Sequence, residues 1–105
     1  MLGFVQIVTT TDTRVHVTKI AQHLLTRRLA GCVQVSGPIS SSYWWEGKLE
    51  TAEEWYCIIK TTRERYPEVE AAIRSILHHK VPEILAFTVA FGSKGYLDWL
   101  ASTVR

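Results

Sequence analysis

The chain has 105 residues, 47% of them hydrophobic and 21% charged, the size and balance of a single domain spanning 1–105. That composition excludes a collagen-like repeat, a disordered tail and a low-complexity linker. Twelve Lys and Arg against ten Asp and Glu leave a formal charge of +2, too weak a field to imply nucleic acid. Met1 to Val8 lacks the basic start of a secretory signal, and no run approaches the ~20 apolar residues of a membrane span. A cytoplasmic protein with neither a membrane nor a nucleic-acid partner is expected.

Phe4 to Val8 reads as a buried strand that ends in a polar turn from Thr9 to Asp12. Asp12 or Thr13 can cap the helix that follows. Val17, Ile20, Ala21, Leu24, Leu25 and Leu29 recur at three- and four-residue steps and form its apolar face, with His16, Lys19, His23 and Arg27 opposite. Arg28 falls inside that arc near the helix end, where its charge suits the dipole. Gly31 is read as a left-handed cap. Cys32 to Val35 resumes an extended pattern, so strand, helix and strand suggest a βαβ unit with parallel pairing. Gly37-Pro38 interrupts the second strand, which restarts at Ile39 and runs to Trp45. Glu46-Gly47-Lys48 is a turn, and Leu49 to Thr62 returns as the antiparallel partner. Pro67 opens a second helix with Val69, Ala72, Ile73, Ile76 and Leu77 as its stripe. Pro82 closes that segment, Ile84 to Phe91 is a fourth strand, and Tyr96, Leu97 and Leu100 pattern a last helix. The order β-α-β-β-α-β plus a C-terminal helix predicts an α+β, ferredoxin-like split sheet with helices on one face.

The hairpin is long for its domain. Strands over 32–45 and 49–62 would reach roughly 46 Å unbroken, whereas a domain of this size is roughly 34 Å across. The projecting ribbon carries Tyr43, Trp44, Trp45, Leu49, Trp55 and Tyr56, more exposed aromatic surface than a monomer normally tolerates. A second copy that covers the ribbon and the bare sheet face is therefore expected, with Tyr43, Trp44, Trp45, Trp55 and Tyr56 in the interface.

Catalytic patterns are weak. Glu53 and Glu54 are strand neighbours that point to opposite faces, Ser40-Ser41-Ser42 lacks a nucleophile-elbow context, and neither cysteine has a nameable base. Cys32 and Cys57 read as buried thiols rather than a disulfide or zinc pattern. No enzyme is expected. His78 and His79 beside Glu83 are donors that suit copper or zinc. Lys60, with Lys48, Arg63 and Arg65 nearby, offers charge to a small anionic ligand, although no phosphate-binding glycine loop is present.

Tyr43-Trp44-Trp45-Glu46-Gly47-Lys48-Leu49-Glu50, Glu54, Ile58-Ile59-Lys60-Thr61-Thr62, Pro82-Glu83-Ile84-Leu85, Gly92 and Tyr96-Leu97-Asp98-Trp99-Leu100 together resemble the CutA divalent-cation tolerance family. Ala30-Gly31-Cys32-Val33 is similar to that family's helix-to-strand junction, so the likeness covers nearly the whole chain. The resemblance implies a ferredoxin-like homotrimer with sheets shared between subunits and an association with copper and other divalent cations. Lys60, Glu54, Glu83, Tyr43 and Tyr96 are expected near an intersubunit cleft, and Glu54, which the resemblance carries over, joins His78, His79 and Glu83 as the expected metal donors. The pattern is incomplete: the family's histidine falls on Leu77 and a cysteine of some members on Thr9, so Glu54 alone remains of that set. A trimer of the PII signalling type, with a small ligand between subunits, is the alternative of similar architecture.

Overall fold

A computed structural model describes residues 3–105, so Met1 and Leu2 of the amino-terminal run lie outside it. Four strands and three α-helices follow in the order β1 (Phe4–Thr11), α1 (Arg14–Thr26), β2 (Cys32–Trp45), β3 (Lys48–Thr62), α2 (Tyr66–Ile76), β4 (Ile84–Thr88) and α3 (Lys94–Thr103), with one 3-10 turn at Arg63–Arg65 before α2. The strands form one sheet in the order β2-β3-β1-β4, and every adjacent pair is antiparallel. β1 and β2 run in the same direction without pairing, because β3 lies between them. The parallel pair expected from the strand–helix–strand run is thus split.

Alternation along β1 and β3 gives the sheet two unlike faces. Val5, Ile7 and Thr9 stand opposite Thr61, Ile59 and Cys57, all buried beneath Val17, Ile20 and Leu24 of α1 and Val69, Ala72 and Ile73 of α2. The other face carries Gln6, Val8, Ile58 and Lys60 with Leu85 and Phe87 of β4, and the last two remain half exposed. α3 covers one end of this second face, where Leu100 meets Gly31.

Several boundaries differ from the sequence expectation. β1 continues through Thr11 instead of turning at Thr9, because threonine is β-branched and suits a pleated surface. Thr11 satisfies its hydroxyl by donating to Asp12 at 3.3 Å, with His16 Nδ1 also at 3.3 Å. Thr13 caps α1 by accepting from the amide of His16. The left-handed residue after α1 is Arg28 (φ 60°), not Gly31; Arg28 stands outside the helix, its guanidinium 3.4 Å from the carbonyl of Thr103. Gly31 is required for a different reason: a Cβ there would lie 2.5 Å from Leu100 Cδ1. Leu25 is exposed rather than part of the buried face. β4 stops at Thr88, and after the bond from Val89 N–H to the Phe4 carbonyl (3.0 Å) the chain leaves the sheet, with Phe91 95% exposed.

The β2–β3 ribbon accounts for the long axis of the molecule, whose extents are 44 × 26 × 22 Å. It closes through Glu46 and Gly47, both at positive φ (49° and 77°), the geometry of a two-residue hairpin turn that follows the strand twist. Near its base, Gly37 and Pro38 bulge out between the Ser36–Tyr56 and Ile39–Glu54 pairs. The bulge keeps Tyr56, Glu54, Ile39, Ser41, Tyr43 and Trp45 on the open side of the sheet. Trp44 and Leu49 pair across the opposite side at the tip, 73% and 65% exposed. Trp55 sits at the base instead: it packs against the core under the guanidinium of Arg14, 5.6 Å from its ring.

Candidate functional site

The open side of the ribbon and the loop between α2 and β4 enclose a concavity of about 750 Å³. Tyr43, Trp45, Glu54 and Tyr56 line it from the ribbon, Thr10 and Asp12 from the end of β1, and His79, Lys80, Val81 and Glu83 from the loop. The loop exists because α2 ends at Ile76 and the next residue, Leu77, turns extended (ψ 111°) while its side chain drops into the core. Pro82 then keeps the chain out of helix until β4 begins. The serines enter the wall because Ser40, Ser41 and Ser42 belong to the ribbon, where Ser42 and Thr51 face each other at 3.2 Å.

Three of the four residues read as metal donors, Glu54, His79 and Glu83, therefore border one cavity, and exposed His78 lies outside its lining. They do not converge: among the described residues, no group of three or more His, Cys, Asp or Glu stands close enough to hold an ion. Thr9 and Leu77, onto which the family resemblance places a cysteine and a histidine, are both buried in the core. Thr9 faces the helices, on the side of the sheet opposite Glu54. A set built from positions 9, 77 and 54 has no common focus in one copy of this chain.

Lys60 and Tyr96 lie farther along the open face, beyond the cavity. Lys60 Nζ donates to Gln34 Oε1 at 2.8 Å. Tyr96 packs on Trp99 with ring centroids 5.5 Å apart, and burial, then Cys32 beside it, pushes its phenol above the usual range. Cys57 is sealed in the core, and burial pushes its thiol up to about 12, so it stays a neutral packing group. Among the described residues one buried side-chain oxygen is unmatched: Thr9 Oγ1 has no hydrogen-bond partner. Sequence reading missed the cavity's Thr10, Asp12 and Lys80. The first two were masked by ending β1 at Val8; continued alternation would have placed Thr10 on the open side.

Residues 5–103 match the family model described as CutA1 divalent ion tolerance protein. The chain belongs to the CutA1 family. A divalent-cation tolerance protein CutA of Archaeoglobus fulgidus is 40% identical over 87 residues, covering 83% of this chain and 84% of the relative. The Thermus thermophilus protein of the same name is 36% identical over 81 residues, 77% of this chain and 79% of the relative. Solved structures agree with this likeness. The Thermus thermophilus Cut A1 structure superposes with a TM-score of 0.94 at 29% identity, over 97% of this chain and 99% of its own. The Archaeoglobus fulgidus CutA structure, described as periplasmic, gives 0.91 at 37% identity over the whole of both chains. These CutA relatives are named for divalent-cation tolerance rather than for a reaction. No helix among the described residues is long and apolar enough to cross a membrane.

Proposed function

We propose that this CutA1 chain is the non-enzymatic subunit of a cytoplasmic, ferredoxin-like homotrimer that serves divalent-cation tolerance by binding copper or zinc weakly at the cavity beneath the ribbon. The single observation behind the metal assignment is that Glu54, His79 and Glu83, drawn from two distant segments, line the same concavity. Their separation in one copy fits weak binding, or a site completed by a neighbour or by movement of the loop that also carries His78. Imidazole nitrogen and carboxylate oxygen together suit copper and zinc better than calcium or magnesium.

Self-assembly is supported by what the lone subunit leaves uncovered. Leu85 and Phe87 stand on a sheet face without a second layer, and Tyr43, Trp44, Trp45 and Leu49 crowd the ribbon tip. Tyr56 borders the cavity and Trp55 the ribbon base, where a neighbour gripping the ribbon would reach them. The outer edges of β2 and β4 lie at opposite margins of the sheet and differ in length, 14 against 5 residues. Joining unlike edges is a head-to-tail contact, which closes into a ring when the rotation permits. Sedimentation should give a particle of three chain masses. Calorimetric titration with copper or zinc should show binding that the double variant His78→Ala/His79→Ala abolishes. Unchanged binding in that variant rejects these ligands.

A second reading, a PII-like trimer that holds a small ligand in clefts between subunits, is favoured by Lys60, a cation on the open face whose hydrogen-bond partner is the neutral Gln34. A thermal-shift screen that sets metals against nucleotides separates the two, since only a true ligand raises the melting temperature with the logarithm of its concentration.

A further inference from the structure

Lys60 stands on the sheet face that α3 covers only at one end. Strand register places Cys32, Lys60, Gln6 and Phe87 in one row across β2, β3, β1 and β4, and Gln34, Ile58, Val8 and Leu85 in the next. Three polar side chains, Gln6, Gln34 and Lys60, thus sit within a face otherwise suited to burial against apolar surface. The neutral Gln34 accepts from Lys60 Nζ at 2.8 Å. No carboxylate among the described residues pairs with Lys60. The carboxylate on the same side of its own strand, Glu54, is six residues away, about 20 Å at the rise of a strand. Cys32 is paired with Lys60 across the strands, and Tyr96 from α3 stands beside Cys32. Both are neutral in their protonated forms.

A covered ammonium must be neutralised or it opposes the contact that covers it. We infer that Lys60, flanked by the amides of Gln6 and Gln34, is the receptor for an oxyanion of the carboxylate or phosphate class once a second copy lies over this face. The inference rests on the oligomer proposed above and names the ligand chemistry of its cleft. Two sources can supply that oxyanion. One is a small free anion. The other is Glu50 or Glu54 of the partner subunit, for the outer part of the ribbon, residues 39–56, is acidic: Glu46, Glu50, Glu53 and Glu54 against Lys48. Glu50 and Glu54 both lie on the ribbon's open side, opposite Tyr43 and Ile39.

Melting temperature and sedimentation of the full chain would be followed together in inorganic phosphate or acetate, against chloride at matched ionic strength. With a free anion, melting rises with the logarithm of phosphate or acetate in the parent and in Lys60→Arg, and the rise is lost in Lys60→Met. With a partner carboxylate, the anions have no such effect. Glu50→Gln or Glu54→Gln then weakens assembly by about tenfold or more, and that loss vanishes when Lys60→Met is already present. Lys60→Gln serves as the second neutral variant if Lys60→Met folds poorly. An oligomer indifferent to phosphate and acetate, and to both glutamine substitutions, overturns the inference while the oligomer stands. A monomer at all concentrations removes the cover, and with it both the oligomer and this receptor.

Discussion

The two faces of the sheet are woven from the same strands and have opposite fates. On the helix side, Ile7 and Ile59 sit opposite each other and are fully buried, with Val17, Ile20 and Ile73 closing over them. On the other side, one residue along, Val8 pairs with Leu85 and Gln6 with Phe87, and the β4 members of both pairs are half exposed. Apolar residues at consecutive positions mean that both faces are built for burial, but the chain carries only enough helix to finish one. The covered face explains how the chain folds; the uncovered one is where the proposed second copy would lie.

Substitutions can test that contrast directly. Ile59→Ala on the covered face should lower unfolding stability by about 2–5 kcal/mol in a urea titration, whatever the protein concentration. Leu85→Ala on the open face should cost under about 0.5 kcal/mol if the face stays wet, as for an ordinary surface change. A loss nearer 2 kcal/mol that shrinks on dilution, as parent and variant both come apart, would instead show Leu85 packed by a second copy. At the ribbon base, Gly37→Ala would bring a Cβ within 2.7 Å of Trp55 Cε3, and an indole ring held between the core and Arg14 has little room to retreat. About 1–3 kcal/mol should be lost in the same titration.

Smaller effects should run the other way. Thr9→Val keeps the shape and removes a buried hydroxyl that bonds to nothing, so a gain of about 1 kcal/mol in chemical denaturation is expected. Failure to gain would point to an ordered water on Thr9 Oγ1. Cys57 should resist a thiol reagent that modifies the half-buried Cys32 in the native protein. Because folding raises its thiol from 9.0 to about 12, the unfolded chain sheds that proton first as the solution becomes alkaline. The stability it contributes is complete below pH 9 and declines between about pH 9 and pH 12. Cys57→Ala should flatten that alkaline slope in melts taken across the range.

Much of the fold was legible because hydrophobic periodicity survives in a single sequence. Val17, Ile20 and Leu24 announced one helix, Val69, Ala72 and Ile73 another, and the paired runs around Glu46-Gly47 announced the hairpin. The end of β1 was not legible, because three consecutive threonines look like a turn until a partner strand pairs their backbone and His16 meets the Thr11 hydroxyl. Gly31 was visible as a needed glycine, but its reason was not: a close approach by Leu100, some seventy residues downstream, leaves no local trace. For the candidate site, His79, Glu83 and Glu54 were readable as residue types. The cavity they border depends on a loop folding back over the ribbon, which spacing alone does not encode.

The distribution of indoles along the ribbon makes the molecule its own optical gauge. Trp44 stands in water at the tip, while Trp55 is wedged at the root beneath a guanidinium. Emission from a variant that retains Trp44 and lacks the other three should shift to the blue when the tip is engaged and ignore events at the root. One retaining Trp55 should follow loosening of the root and ignore the tip. The timing of each can therefore be separated without an added dye.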